Sequence, residues 1–287
     1  MDIFLSNEDE QILFDFLKKG TLKALKIARM PTLNIEEILK VMKKALLVEE
    51  FCICYMDCDE GCFSKIEDLL STNNTLKIFS MCFSNLEGKR FKHVCDGLSE
   101  NSSIQQVNFV SSRIGDEGAG YVGELLKVNG SIKKLYLSAN QIGNEGMKMI
   151  SEALKTNESV LHIYLSTNSF DDEGVRVLTE AIKTSSKTKI SELVLSDNSI
   201  SYKSSLHLKE CLRFAPTLIK VEISDTLITD QEEILLMAEK NLSEKRSFLS
   251  VSQSMLILHN RKDCIVSVLP RMVCLYLLQF ISKLKLF

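Results

Sequence analysis

The chain has 287 residues, 45% of them hydrophobic and 25% charged, with a formal net charge of −3, a composition that fits a folded globular protein and excludes disordered or collagen-like classes. Its 38 acidic residues offset 35 basic ones, so there is no general cationic excess to neutralise a phosphate backbone, and nucleic acid is not an expected partner. The nine cysteines are odd in number and lack the spacing of a small stapled domain, which reads as free thiols in a reducing compartment.

In chain order, Met1 to Glu10 carries acids and lacks the basic stretch and apolar run of a secretory signal, so a cytoplasmic protein is expected. Asn7 and Glu10 then stand at capping-box spacing before Ile12, Leu13, Phe16 and Leu17. That pattern predicts an amphipathic helix, and residues 1–21 are read as an N-terminal helical cap.

From residue 22 to about residue 245 the chain repeats itself with a period of 28. Ile132, Leu135, Leu137, Asn140 and Ile142 stand 28 residues before Val160, Ile163, Leu165, Asn168 and Phe170, and 28 after Ile104, Val107, Phe109, Ser112 and Ile114. The frame recurs at Val48/Phe51/Ile53/Cys58 and Leu76/Phe79/Met81/Leu86, with weaker copies starting at Leu22, Ile190 and Leu218, for eight units in all. The copy at Ile190 follows a spacing of 30, its extra pair falling in the polar stretch Thr184 to Lys189. Within each unit the first residues alternate apolar and polar as a strand does. Sets such as Met147, Ile150, Ala153 and Leu154 return every three or four residues as a helix does. One unit cannot bury both apolar faces alone. Stacked units can, and because strands sit about 4.8 Å apart while helices need roughly 8–10 Å, the stack must bend with its sheet on the concave side.

Each unit reads L-x-x-L-x-L-x-x-N-x-I, then a turn and a helical stretch. This pattern resembles the leucine-rich repeats, and the 28-residue length with Gly118, Gly146 and Gly174 at the helix starts is similar to the ribonuclease-inhibitor subtype. The resemblance implies an α/β leucine-rich-repeat solenoid, a horseshoe with a parallel concave sheet, convex helices and helical caps. It also implies a non-enzymatic module, monomeric when free, that binds and inhibits or regulates another protein, such as an enzyme or another effector. The family occurs among effectors that intracellular bacteria deliver into host cells, which adds a host cytosol to the expected locations. The chain departs from the pattern at position nine of the unit. Only Asn140, Asn168 and Asn198 keep the amide there, and Met30, Met56, Ser84, Ser112 and Thr226 replace it. Ser and Thr can satisfy part of the backbone an Asn would, and Met none of it, so the first two units should be less regular.

Residues 246–287 leave the frame. Cys264 to Ile281 carries Arg271 as its sole charge and is interrupted by Pro270. A solenoid end needs a cover, so this segment is expected to be a C-terminal helical cap. A membrane span is not expected, since Pro270, Arg271 and Gln279 interrupt a stretch barely long enough. Leu269 to Leu278 is slightly similar to the Leu-Pro starts of F-box or SOCS-box helices. That similarity carries the alternative function, a substrate-receptor adaptor recruiting ubiquitin-ligase machinery.

Candidate chemistry is sparse. Cys52, Cys54, Cys58 and Cys62 suggest a thiolate metal site, but the repeat frame spreads them over strand, core and helix. As a set of four they are expected to diverge and to hold no metal; Cys52 and Cys54, both at concave strand positions, could be exposed and oxidisable, but no neighbouring His or Lys pattern marks them as activated. Ser138 and His162 belong to adjacent strands at different positions and lack an oxyanion hole. There is no Gly-rich phosphate loop, so no catalytic residue and no cofactor is expected. The sequons at Asn73, Asn101, Asn157 and Asn241 are what an Asn- and Ser-rich chain gives by chance. The informative set consists of strand residues directed away from the core. Position five runs Lys26, Cys52, Ser80, Asn108, Tyr136, Tyr164, Val194, Glu222, and position eight runs Arg29, Tyr55, Phe83, Ser111, Ala139, Thr167, Asp197, Asp225. With Lys23 at one end and Glu192 at the other, the face is expected to grade from basic through aromatic to acidic. Rings on an exposed sheet also serve simply as good strand formers. As a binding surface, the expected partner-contacting residues are Lys26, Arg29, Tyr55, Phe83, Asn108, Tyr136, His162, Tyr164, Asp197, Glu222 and Asp225, because Tyr and Arg are enriched among interface anchors.

Overall fold

Strand and helix alternate as the two periodicities require. The structure, a computed structural model, describes residues 22–28, 35–43, 47–55 and 59–259. The expected helix over 7–19, Arg29, Met30, Met56, Cys58 and the apolar segment Cys264 to Ile281 lie outside those residues. The strands are β1 (Ala24–Ala28), β2 (Glu50–Cys54), β3 (Ile78–Cys82), β4 (Gln106–Asn108), β5 (Lys134–Tyr136), β6 (His162–Tyr164), β7 (Glu192–Val194) and β8 (Lys220–Glu222). Each is followed by a helix: α1 (Ile35–Met42), α2 (Glu60–Thr72), α3 (Lys89–Glu100), α4 (Gly115–Val128), α5 (Asn144–Leu154), α6 (Asp172–Thr184), α7 (Lys203–Phe214) and α8 (Gln231–His259).

The eight strands form one parallel sheet in sequence order, and their register is the repeat itself. Leu135 pairs with Ile163 and Ile163 with Leu193, so the spacing of 30 before Ile190 is absorbed without shifting the sheet. Leu135, Leu137, Ile163, Leu165, Leu193 and Leu195 are all fully buried. In the first half of the array the filling is aromatic. Phe79 packs on Phe51 with centroids 6.2 Å apart and on Phe109 at 6.4 Å, and Phe91 of α3 meets Phe109 edge-on at 5.0 Å. The main packing of each helix is against the helices of adjacent units. This is the quasi-one-dimensional arrangement of a repeat array.

Three polar ladders tie unit to unit. At position nine, the Asn140 amide donates to Phe109 O at 2.7 Å, and its Oδ1 accepts from Ser112 N at 2.8 Å. Asn168 and Asn198 repeat the arrangement one and two units on. A second ladder runs along the helix ends through Asn73, Asn101, Asn129 and Asn157. Asn129 Nδ2 donates to Leu98 O and Asn101 O, and its Oδ1 accepts from Ser131 N and Ile132 N. The sequons at Asn73, Asn101 and Asn157 are therefore members of a buried structural row and not chance features. Asn241 belongs with them in kind, donating to Leu212 O and Leu218 O. Ser185 takes the Asn place in the unit with the two-residue insertion, donating to Lys155 O at 2.7 Å and accepting from Lys187 N and Thr188 N. The third ladder joins helix starts: Asp116 Oδ1 accepts from Gly143 N and Gly146 N of the next unit. A Cβ on Gly146 would lie 2.6 Å from that oxygen and 2.8 Å from the Ala119 methyl, so this position admits only glycine without displacement.

Candidate functional site

Position four of each unit points into the core, so positions three and five point out of the opposite face of the sheet. Register then aligns them into rows. Position five carries Tyr136 and Tyr164 on adjacent strands, and their rings stack with centroids 4.1 Å apart and planes 2° from parallel. Both remain partly exposed. Next to them Val194 is only 6% exposed, so this row is better covered than a bare sheet face. At position three His162, Glu192 and Lys220 are neighbours. Glu192 accepts from His162 Nδ1 at 2.7 Å and from Lys220 Nζ at 2.5 Å. Burial pushes the Glu192 carboxyl up, but the hydrogen bonds from Lys220 and His162 outweigh it and hold the group below its ordinary range. The Tyr164 phenol is shifted the other way, above its usual value, by burial first and then by its hydrogen bonding with Tyr136 and the Glu192 charge. His162 pairs with Glu192 rather than with Ser138, so no nucleophile and base are brought together there.

Position eight differs from the sequence expectation. The strands β4 to β8 end at position five, and position eight lies in the turn beyond, in the left-handed region in every described unit. The φ values are 57° at Tyr55, 53° at Phe83, 55° at Ser111, 57° at Ala139, 57° at Thr167, 55° at Asp197 and 54° at Asp225. The backbone explains the uniformity. Through this bend the position-eight N–H donates to the position-seven carbonyl of the next unit, as from Tyr55 to Cys82 O at 3.1 Å and from Ser111 to Ser138 O at 3.0 Å. The ladder thus continues while the chain leaves the sheet. Large side chains rarely occupy that region, yet Tyr55 and Phe83 do. They stack with centroids 4.8 Å apart and planes 7° from parallel, and are 44% and 47% exposed.

Several of the charges along the face are partnered. Lys26 forms an ion pair with Glu50 at 3.3 Å, and Glu192 is matched by His162 and Lys220. Lys23 and Lys26 stay exposed at one end, and Asp197, Glu222 and Asp225 are exposed acids at the other. Asn108 is partly committed to its own turn, its Oδ1 accepting from Val110 N at 3.1 Å. Lys134 and Lys220 were overlooked in the sequence, though their place in the position-three row follows from the period.

The cysteines require a further correction. Cys52 and Cys54 share one strand, as their places in the unit require, and their sulfurs are 3.3 Å apart. Cys82, 28 residues after Cys54, is in register with it on β3, and its thiol lies 3.6 Å from Asn108 O. Cys62 is buried in α2 as expected. The reading of these thiols as lacking activating neighbours fails, because the frame brings Cys82 and the Lys26 charge to Cys54. Among the described residues no group of three or more His, Cys, Asp or Glu side chains has the arrangement to hold a metal ion, and no helix is long and apolar enough to cross a membrane.

A leucine-rich repeat family model matches residues 128–151, from the end of α4 through β5 into α5. With eight parallel strands alternating with helices at the repeat spacing, the fold is an α/β leucine-rich-repeat solenoid. No curated protein sequence matches the chain. Among solved structures it is similar to the actin-binding site 2 of leiomodin-1, at 15% identity and a TM-score of 0.47 over 67% of this chain and 96% of that one. It is also similar to the tropomodulin C-terminal domain of Caenorhabditis elegans, at 12% identity and a TM-score of 0.46 over 66% and 98%. A third similarity is to a yeast complex of Rad7 and Elc1, at 15% identity and a TM-score of 0.48 over 82% and 63%.

Proposed function

We propose that this is a ribonuclease-inhibitor-type repeat array whose concave face binds another protein and regulates it by covering its surface. The observation that carries the reading is the two stacked ring sets, Tyr136 with Tyr164 on the strands and Tyr55 with Phe83 in the turns just beyond them, left partly open to solvent. Each ring in a stack is already held by its neighbour, so little side-chain freedom remains to be lost when a partner docks. Large pre-ordered rings are the side chains that most often dominate interface energetics. Lys26, Asn108 and His162 complete the surface at positions three and five, and the acids at Asp197, Glu222 and Asp225 favour a partner that presents basic groups. Arg29, outside the described residues, belongs to the same proposed surface by its place in the repeat. The proposal assigns no catalytic residue, and it has the free protein acting as a monomer in a cytosol, its own or that of a host cell.

The test is quantitative. For a protein captured by the full chain, Tyr136→Ala with Tyr164→Ala should weaken binding by at least about 2 kcal/mol, the threshold of an anchor. Leu206→Ala on the exposed side of α7 should leave the affinity unchanged. Calorimetric titration distinguishes the two, and loss of affinity only in the α7 variant would move the site to the convex face.

A further inference from the structure

The thiols that precede Tyr55 and Phe83 in the chain carry an inference separate from partner binding. Cys54 and Cys82 are register partners on β2 and β3, pointing to the same face of the sheet. Neighbouring strands lie about 4.8 Å apart, inside the usual Cα separation for a disulfide of about 4.4–6.8 Å. Cys52, two residues from Cys54 along one strand, sits at about 6.6 Å by strand rise, at the upper end of that range. Cys54 is partly exposed, whereas Cys82 is 6% exposed.

The three sulfurs are not equivalent. The Cys52 thiol, 3.3 Å away, and the neighbouring Cys82, aided by the Lys26 charge and opposed by burial, hold Cys54 well below the usual thiol range. Cys52 and Cys82 are pushed above that range, Cys52 by its bond to Cys54 and then by burial, Cys82 likewise. Three thiols therefore gather at neighbouring places on β2 and β3, with Cys54 favoured as the nucleophile, an arrangement associated with oxidisable rather than inert thiols.

We propose that Cys54 is a peroxide-reactive thiol and Cys82 its resolving partner, so that a hydroperoxide converts them into a disulfide across β2 and β3. In the first step the Cys54 thiolate attacks one peroxide oxygen. An S–O bond forms, the O–O bond breaks, and the departing alkoxide or hydroxide takes a proton to leave as alcohol or water. Cys54 is then a sulfenic acid. In the second step the Cys82 sulfur attacks the Cys54 sulfur; the S–S bond forms, the S–O bond breaks, and the hydroxide leaves as water with the Cys82 proton. Two thiols lose two electrons and one peroxide gains them. The new bond would lie one residue before each of the stacked rings of Tyr55 and Phe83.

The experiment treats the reduced full-length protein with a few equivalents of hydrogen peroxide, with and without dimedone, and maps the products by peptide mass spectrometry. At about pH 6 an ordinary thiol with pKa near 8.5 is under about 1% thiolate. Even after the lower nucleophilicity of a low-pKa thiolate is counted, Cys54 should react roughly tenfold faster in the folded chain than in the urea-unfolded chain. The wild-type product should be a Cys54–Cys82 linked peptide pair. Cys82→Ser should let the sulfenic acid accumulate as a dimedone adduct on Cys54, and Cys52→Ser should still form the bond. Equal rates at Cys54 in the folded and unfolded chains overturn the proposal, as does a link from Cys54 to Cys52 instead of Cys82. The rate comparison and the wild-type map use no variant, so they decide the matter even if Cys82→Ser fails to fold.

Discussion

Left-handed backbone at a bulky residue costs roughly 1–2 kcal/mol, and at Phe83 that cost is set against a stacked contact with Tyr55 of about 0.5–1.5 kcal/mol beyond burial. The two nearly cancel. Phe83→Asn, which suits φ near 53°, should therefore shift unfolding free energy by no more than about 1 kcal/mol, although it deletes a whole ring. Phe79→Ala, four residues earlier and fully buried, should cost about 3–5 kcal/mol as core aromatic truncations do. Urea unfolding of both variants checks the contrast, and a large loss at Phe83 would mean its ring supports the core. That Phe83 is exposed was legible from its place in the unit, but the turn beyond the strand was not, because nothing in the residue types at position eight favours positive φ at Tyr or Phe. Glu192 gives a prediction with a definite sign. Its folded pKa lies below that of an unfolded glutamate, about 4.3, so its stabilising contribution is present above that pH and is lost as pH falls through the folded value. Wild-type stability should drop with acidification below about pH 4.3 more steeply than that of Glu192→Gln. Parallel acid titrations of the two would refute the assignment.

Helices and strands hold their places through polar rows as much as through apolar packing. Asn129 is 4% exposed and serves two carbonyls and two amides from three different segments. Asn129→Ala leaves Leu98 O and Asn101 O without that donor and Ser131 N and Ile132 N without that acceptor. At about 1–3 kcal/mol for a stranded buried partner, the expected loss is roughly 2–4 kcal/mol, since the four groups are coupled and their costs do not simply add. Asn74→Ala, one residue beyond the ladder in another unit and exposed, is the control and should be near neutral. Equal effects in thermal melts would show that the row is ornamental. The period of 28 reached these asparagines as surely as it reached the leucines, for Asn73, Asn101, Asn129 and Asn157 are spaced by it. They went unread because an Asn-x-Ser/Thr triplet has a competing explanation as a surface sequon, and because a side chain's partners one unit away are invisible along the chain. The apolar frame escaped that ambiguity, since only burial explains Leu135, Ile163 and Leu193 in register.

Across the whole molecule, one rule places a residue: its position in the unit sets its face, and its unit sets its distance along the sheet. That rule made the solenoid, the strand order and the concave row of Tyr136 and Tyr164 legible from sequence. It places residues in rows without saying which side chains in and between those rows join: Lys26 reaches diagonally to Glu50, Glu192 bonds both of its row neighbours, and Cys54 meets Cys52 along its own strand. Those contacts partner several charges of the proposed binding face and leave its acidic end at Asp197, Glu222 and Asp225 exposed. Asp197 and Asp225 occupy the same position on adjacent units, about 4.8 Å apart if they follow the strand spacing, well within a Debye length of about 8 Å at physiological ionic strength. They therefore act on an approaching partner as a joint charge. Asparagine tolerates their left-handed backbone as well as aspartate does, so Asp197→Asn with Asp225→Asn removes the charge without disturbing the turn, and the melting temperature should hardly move. If these acids steer a basic partner, the double variant should slow association roughly threefold to tenfold at low salt, leave dissociation almost unchanged, and flatten the dependence of the association rate on ionic strength. Stopped-flow mixing over a salt series separates these effects. Faster dissociation with an unchanged salt slope would instead mean that the two carboxylates touch the partner directly, and the steering role would have to be given up.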